Sequence, residues 1–144
     1  VFNWSVGNDI YNASRMETEG MYDAKNQSVD VLDRWRRPGQ GTYMPRATIA
    51  KDNLVASTRF VEDGSYLRLK TLTLSYDFSA RALKRINIRR MQPFVTAQNL
   101  LTLTRYLGFD PEVNQYSGSA LVQGIDWGTY PHSRSIIIGL NVEF

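Results

Sequence analysis

The chain has 144 residues, 42% of them hydrophobic and 12% aromatic, with 17 Lys and Arg against 14 Asp and Glu for a formal net charge of +3. That length suffices for one domain with a sizeable core, and so small and scattered a positive charge argues against nucleic-acid binding. Cysteine is absent, which excludes disulfides, thiol catalysis and the usual ligands of structural zinc, while no stretch has the ~20 consecutive apolar residues of a membrane helix or the layout of a signal peptide.

Any membrane span is therefore β, and the chain carries strand patterns from its start. Residues 1–11 (VFNWSVGNDIY) set Phe2, Trp4, Val6 and Ile10 on one parity against Asn3, Ser5, Gly7 and Asp9 on the other, which predicts a strand with one apolar face. A long connection, 12–65, follows. Within it a helix is expected over 22–34, leading to Trp35 among Arg34, Arg36 and Arg37, a setting for cation–π packing. Gly39 and Gly41 beside Pro38 mark a turn, not a phosphate cradle.

Residues 66–78 (YLRLKTLTLSYDF) predict the second strand, with Tyr66, Arg68, Lys70, Leu72, Leu74, Tyr76 and Phe78 on one face and Thr71, Thr73, Ser75 and Asp77 on the other. Residues 79–90 are a shorter, basic connection in which Ser79 is positioned to cap a helical turn through Leu83. Residues 91–103 (MQPFVTAQNLLTL) predict a third strand whose Pro93 belongs near its beginning or at an edge. After a second long connection, 104–133, the segment 134–144 (RSIIIGLNVEF) alternates Ile136, Ile138, Leu140, Val142 and Phe144 with smaller or polar residues. Each strand is near the ~9 to 11 residues that cross a bilayer at a tilt.

Connection lengths alternate long, short, long, as in outer-membrane barrels, whose periplasmic turns are short and extracellular loops long. The expected fold class is thus all-β: an antiparallel meander in a transmembrane barrel, with 12–65 and 104–133 as outer loops. On this reading Phe2, Trp4, Tyr76, Phe78 and Phe144 form a periplasmic aromatic girdle and Tyr66 an outer one, with Arg68 and Lys70 snorkelling to head groups. Phe144 also ends the chain as barrel-assembly signals do. Four strands close no barrel, so the chain is expected to be a fragment. A soluble β-sandwich that binds glycans is the alternative, favoured if the apolar parities meet across a dry core.

No catalytic or metal constellation stands out. His132 and Ser133 are sequence neighbours and face opposite ways in an extended chain, so their spacing makes no nucleophile–base pair. Asp110, Glu112 and Asp126 lie in the last long connection without the spacing of a calcium loop; a hydrolase built on Asp110 and Asp126 has no support from spacing. Trp127 and Tyr130, beside Asp126, have flat apolar faces with polar edges suited to sugar stacking or a protein interface. The ligand or interface candidates are accordingly Trp35, Asp110, Asp126, Trp127 and Tyr130, with no cofactor expected.

Three runs, FVEDGSYLRLKTLTLSYDF (60–78), VTAQNLLTLTRYLGFDPEV (95–113) and GIDWGTYPHSRSIIIGLNVEF (124–144), together with DRWRRPGQGTYMPRA (33–47), closely resemble in order and spacing the carboxy-terminal end of the SusC/RagA family of TonB-linked outer-membrane transporters of Bacteroidota. The resemblance implies a 22-stranded barrel around an amino-terminal plug, of which these are the last four strands. It further implies import of oligosaccharides or peptides driven through TonB, which engages a part of the protein not seen in this sequence, and a SusD-like surface lipoprotein as lid. Outer-membrane lipid and the barrel-assembly machinery complete the implied partners.

Overall fold

A computed structural model describes residues 1–22, 25–79, 87–113 and 123–144. In chain order the elements are β1 (Phe2–Ser5), β2 (Asp9–Asn12), α1 (Ala13–Glu19), β3 (Val61–Asp63), β4 (Tyr66–Ser75), β5 (Arg90–Thr104), β6 (Ile125–Asp126) and β7 (Ser135–Glu143), with 3₁₀ turns at Val29–Asp33, Lys51–Leu54 and Thr58–Phe60. They divide into two compact units: Val1–Ser5, Tyr66–Thr104 and His132–Phe144 form a sheet unit, and Val6–Ser65 with Arg105–Pro131 form a loop unit.

The sheet unit is a four-stranded meander in the order β1-β4-β5-β7, antiparallel throughout. Ladder bonds prolong β4 beyond Ser75: Tyr76 N donates to Pro93 O (3.1 Å) and Phe78 N to Met91 O (3.1 Å). Directly paired residues share a face. One face carries the rows Trp4–Leu67–Leu103, Phe2–Leu69–Leu101, Leu72–Ala97–Ile136, Leu74–Val95–Ile138, Pro93–Leu140 and Met91–Val142. The other carries Ser5–Tyr66–Thr104, Asn3–Arg68–Thr102, Thr71–Gln98–Ser135, Thr73–Thr96–Ile137, Ser75–Phe94–Gly139 and Gln92–Asn141. Phe94 shields the glycine in its row, since a Cβ on Gly139 would lie 2.3 Å from the ring.

Strict alternation in β4 would split these faces, because Leu69 and Leu72 have opposite parity. In β5 Leu101 and Leu103 share the parity of Met91 to Ala97, and two residues, Asn99 and Leu100, stand against the single Lys70 of β4. The register of β4 with β5 slips between Leu69 and Thr71, and the N–H groups of Lys70 and Thr71 both donate to Val1 O (3.0 and 3.3 Å). That shared acceptor marks a β-bulge, which resets the alternation. Asn99, at φ 50, lies opposite the slip.

The bulge overturns part of the expected face assignment. Tyr66 and Arg68 sit on the polar face, not beside Leu72 and Leu74. The Tyr66 hydroxyl accepts a bond from Asn3 Nδ2 (3.1 Å), and Arg68 is only 2% exposed with its guanidinium 5.8 Å from the Tyr66 ring centroid. A side chain so enclosed is not a snorkelling group. Trp4 is also displaced from its expected rim. It pairs with Leu67 at the Tyr66 end of the sheet, opposite the end where Tyr76 and Phe78 make an edge-to-face contact with centroids 5.1 Å apart. The reason is that β1 enters the sheet at mid-height, with Val1 opposite Lys70 and Thr71.

The strand expected over 1–11 breaks at Gly7 (φ 79), whose N–H donates to Ser65 Oγ (3.0 Å). Its second half, β2, belongs to the loop unit, where it pairs antiparallel with β3 and parallel with β6. Ile10 thereby becomes core at 1% exposure, with Ala13, Met16, Met44, Phe60 and Tyr106 around it in burial. Tyr11 meets Phe60 edge-on with centroids 6.4 Å apart. The helix expected over 22–34 is confined, among the described residues, to the 3₁₀ turn Val29–Asp33, because Ser28 takes the Asp30 N–H with its own hydroxyl and restarts the backbone there. The helical turn expected after Ser79 lies outside the described residues.

Candidate functional site

The loop unit is built on α1, a helix the sequence reading did not foresee. Asn12 caps it by accepting the Arg15 N–H (2.8 Å) and turns its amide towards Glu62 Oε1 (3.2 Å). One turn on, Arg15 reaches Glu19 at i,i+4 and Glu62 Oε1 (3.1 Å), while Arg59 donates to Glu19 Oε2 (2.7 Å). Glu19 is 3% exposed, so it is held between two guanidiniums away from water, where charge-assisted bonds offset the cost of desolvation. These bonds hold the Arg15 guanidinium charged against the opposing effect of burial, raising its pKa. Tyr43 lies under both cations, 4.9 Å from Arg59 and 5.9 Å from Arg15. The cation–π packing that Trp35 allows is found at Tyr43; Trp35 is half-buried and its backbone N–H donates to Met44 O (3.0 Å).

A second buried group lies at β6. Asp126, 1% exposed, accepts the Tyr106 hydroxyl on Oδ2 (2.6 Å) and the N–H groups of Gly128 (2.8 Å) and Thr129 (2.9 Å) on Oδ1. Burial, and then the bond to Asp126, push the Tyr106 phenol well above its usual pKa. Asp110, also buried, accepts the Glu112 N–H (2.9 Å). Both carboxylates therefore organise backbone. Trp127 is 47% exposed and Tyr130 89% exposed. Among the described residues no group of three or more His, Cys, Asp or Glu is arranged to hold a metal.

A cavity of about 580 Å³ opens within this unit, with Glu19, Asp126, Tyr43, Leu107 and Phe109 in its lining. Its exposed carboxylates are those of Asp30 and Asp33, set beside aromatic and aliphatic surface, chemistry that suits a polar ligand with a flat apolar side. In the sheet unit the polar face carries a hydrogen-bonding ladder instead: Thr73 and Thr96 hydroxyls meet at 3.0 Å, Ser135 Oγ donates to Gln98 (3.1 Å), and Gln92 donates to Asp77 (3.1 Å). Of the five candidates from the sequence, Asp126, Trp127 and Tyr130 come together around one turn, while Trp35 and Asp110 lie elsewhere in the unit. The Arg15–Glu19–Arg59–Glu62 network and Tyr106 were missed. Only the i,i+4 spacing of Arg15 and Glu19 announces any of it.

No family model matches the chain. It is 34% identical over 99% of its length to TonB-dependent receptor P3 of Formosa agariphila, spanning 14% of that protein. It is 27% identical over 97% of its length to TonB-dependent receptor SusC of Bacteroides thetaiotaomicron, spanning 13% of it. A solved structure of the RagAB peptide transporter matches with a TM-score of 0.81 at 28% identity, over 99% of this chain and 15% of that one. The RagAB peptide importer in its "open-open" state matches with a TM-score of 0.79 at 27% identity, again over 99% of this chain and 15% of that one.

Proposed function

The chain belongs with the SusC/RagA type of TonB-dependent receptor, and on that premise we propose that its sheet unit is the last four strands of a barrel in the outer membrane of a Gram-negative bacterium. Its loop unit forms part of the extracellular rim. The parent receptor imports oligosaccharides or peptides, takes energy from TonB through its amino-terminal part and works with a SusD-like lipoprotein. Strands of this chain are wall, and Trp127 and Tyr130 at the rim contact cargo or the lipoprotein.

The observation that carries this reading is the continuous apolar face across all four strands. Leu74 is 67% exposed, Ile136 69%, Ile138 78% and Trp4 67%. In water such a surface is an aggregation hazard; against lipid tails it costs nothing, while the opposite face keeps hydroxyl and amide groups for a wet lumen. A β-sandwich would bury its apolar parity against a second sheet. Here much of that parity is exposed, Leu74, Ile136 and Ile138 included.

Outer membranes of the source organism, probed with an antibody to this chain before and after boiling, test the proposal. Heat-shifted migration of a band far above 16.5 kDa, with loss of uptake when the gene is deleted, is the expected result. A heat-insensitive soluble band near 16.5 kDa overturns it and promotes the glycan-binding module.

A further inference from the structure

Resting on that reading, we infer that Asp126 and Tyr106 are positioning residues that fix the turn presenting Trp127 and Tyr130, and that the Asp126 carboxylate is not itself a contact for cargo or partner. The geometry divides the labour. Asp126 Oδ1 takes two consecutive-residue donors, Gly128 N–H and Thr129 N–H, which closes the turn over Trp127. Its Oδ2 is bound to the Tyr106 hydroxyl, which arrives from a different stretch of the loop unit and is itself 5% exposed. Both oxygens are thus occupied, and the residue is sealed at 1% exposure. The Asp126 carbonyl is tied as well, accepting from Ser14 Oγ on α1 (3.4 Å).

The backbone of the turn is adapted to this arrangement. Gly128 sits at φ 91, a region a side chain disfavours, and a Cβ there would lie 3.3 Å from Ser14 Oγ. Beside this buried carboxylate, with both its oxygens bonded, the two aromatic side chains remain exposed, Trp127 by 47% and Tyr130 by 89%. An exposed Trp or Tyr contributes to binding most when it is held in place beforehand, because ordering it at the moment of contact costs free energy. Asp126 and Tyr106 provide that order. Asparagine at 126 preserves the fixture, since its carbonyl oxygen accepts the same two N–H groups and its amide faces the Tyr106 oxygen; alanine removes it.

The test uses the full receptor purified in detergent, with Asp126→Ala, Asp126→Asn and the double variant Trp127→Ala/Tyr130→Ala. Hydrogen exchange of the peptide spanning 124–131 is read alongside recovery of the co-expressed SusD-like lipoprotein and binding of two probes, maltoheptaose and a casein digest. Asp126→Ala is expected to raise exchange at Gly128 and Thr129 about tenfold to a hundredfold. It should also lower whichever recovery or binding signal the double variant lowers. Asp126→Asn should stay near the parent in both. Unchanged exchange in Asp126→Ala overturns the inference, and so does Asp126→Asn behaving like Asp126→Ala, which would make the charge itself the contact. If the double variant alters no signal, the contact assignment of Trp127 and Tyr130 fails while the exchange data still judge the positioning role.

Discussion

The two units of this chain place their apolar residues in opposite ways. Among the described residues every buried hydrophobic side chain, Ile10, Ala13, Met16, Met44, Phe60 and Tyr106, belongs to the loop unit. Among the described residues the sheet unit buries none of its leucines or isoleucines and displays most of them on one face, Ile137 lying on the other. A segment folding in water must hide apolar surface and pair the polar groups it encloses; a sheet folding in lipid must satisfy its backbone and turn apolar groups outward. The loop unit meets the first requirement with a small core and the Glu19 ion network, the sheet unit the second. On the proposed reading, one chain thus carries solutions for two solvents.

The largest expected effect breaks the loop unit alone. Phe60→Ala removes a side chain 1% exposed and should cost ~3–5 kcal/mol, abolishing amide protection across the loop unit while heat-shifted migration of the receptor persists. Loss of barrel assembly in that variant would mean that the two regions do not solve their folding separately. Next, Leu74→Arg should impair barrel assembly by ~2–4 kcal/mol near the membrane midplane, whereas Thr73→Arg, one residue away on the hydroxyl-bearing face, should assemble normally. Equal tolerance of the two would erase the distinction between the faces. Asn12→Ala, which removes the α1 cap and a partner of Glu62, should cost only ~1 kcal/mol, read as faster exchange at the start of α1.

The smallest effect is one of pH. Because the folded Tyr106 phenol titrates above its unfolded value, its contribution to stability is whole below about pH 10 and is lost as pH rises further. The loop unit should therefore loosen in strong alkali, and Tyr106→Phe should flatten that dependence while leaving the sheet unit unaffected. A sheet unit that loosens in parallel would contradict the assignment to Tyr106.

The long strands were legible because one solvent-facing rule, period-two alternation, dominates them: residues 66–78, 91–103 and 134–144 fall on β4, β5 and β7. What alternation alone does not reveal is a register slip. The bulge at Lys70 moves Tyr66 and Arg68 to the other face, and it depends on β1 supplying one carbonyl to two N–H groups, a contact between residues far apart in sequence. The break at Gly7 was hidden for a similar reason, since Val6 and Ile10 continue the parity of Phe2 and Trp4 across a turn. In the candidate site the exposed aromatics were readable from residue type, but Asp126 looks like a ligand in sequence and acts as a buried acceptor in the fold. Its partner Tyr106 lies 20 residues away, and no spacing rule connects them.

The most direct test of the central claim is to place a nitroxide label at Leu69, Leu72, Leu74, Arg68 and Thr73 in turn, in the full receptor in lipid bilayers, and compare accessibility to oxygen and to a water-soluble nickel chelate. The account predicts that labels at 69, 72 and 74 favour oxygen and those at 68 and 73 do not, so that the lipid-facing parity changes across Lys70. An unbroken alternation from 68 to 74, or chelate access at 72 and 74, would contradict it.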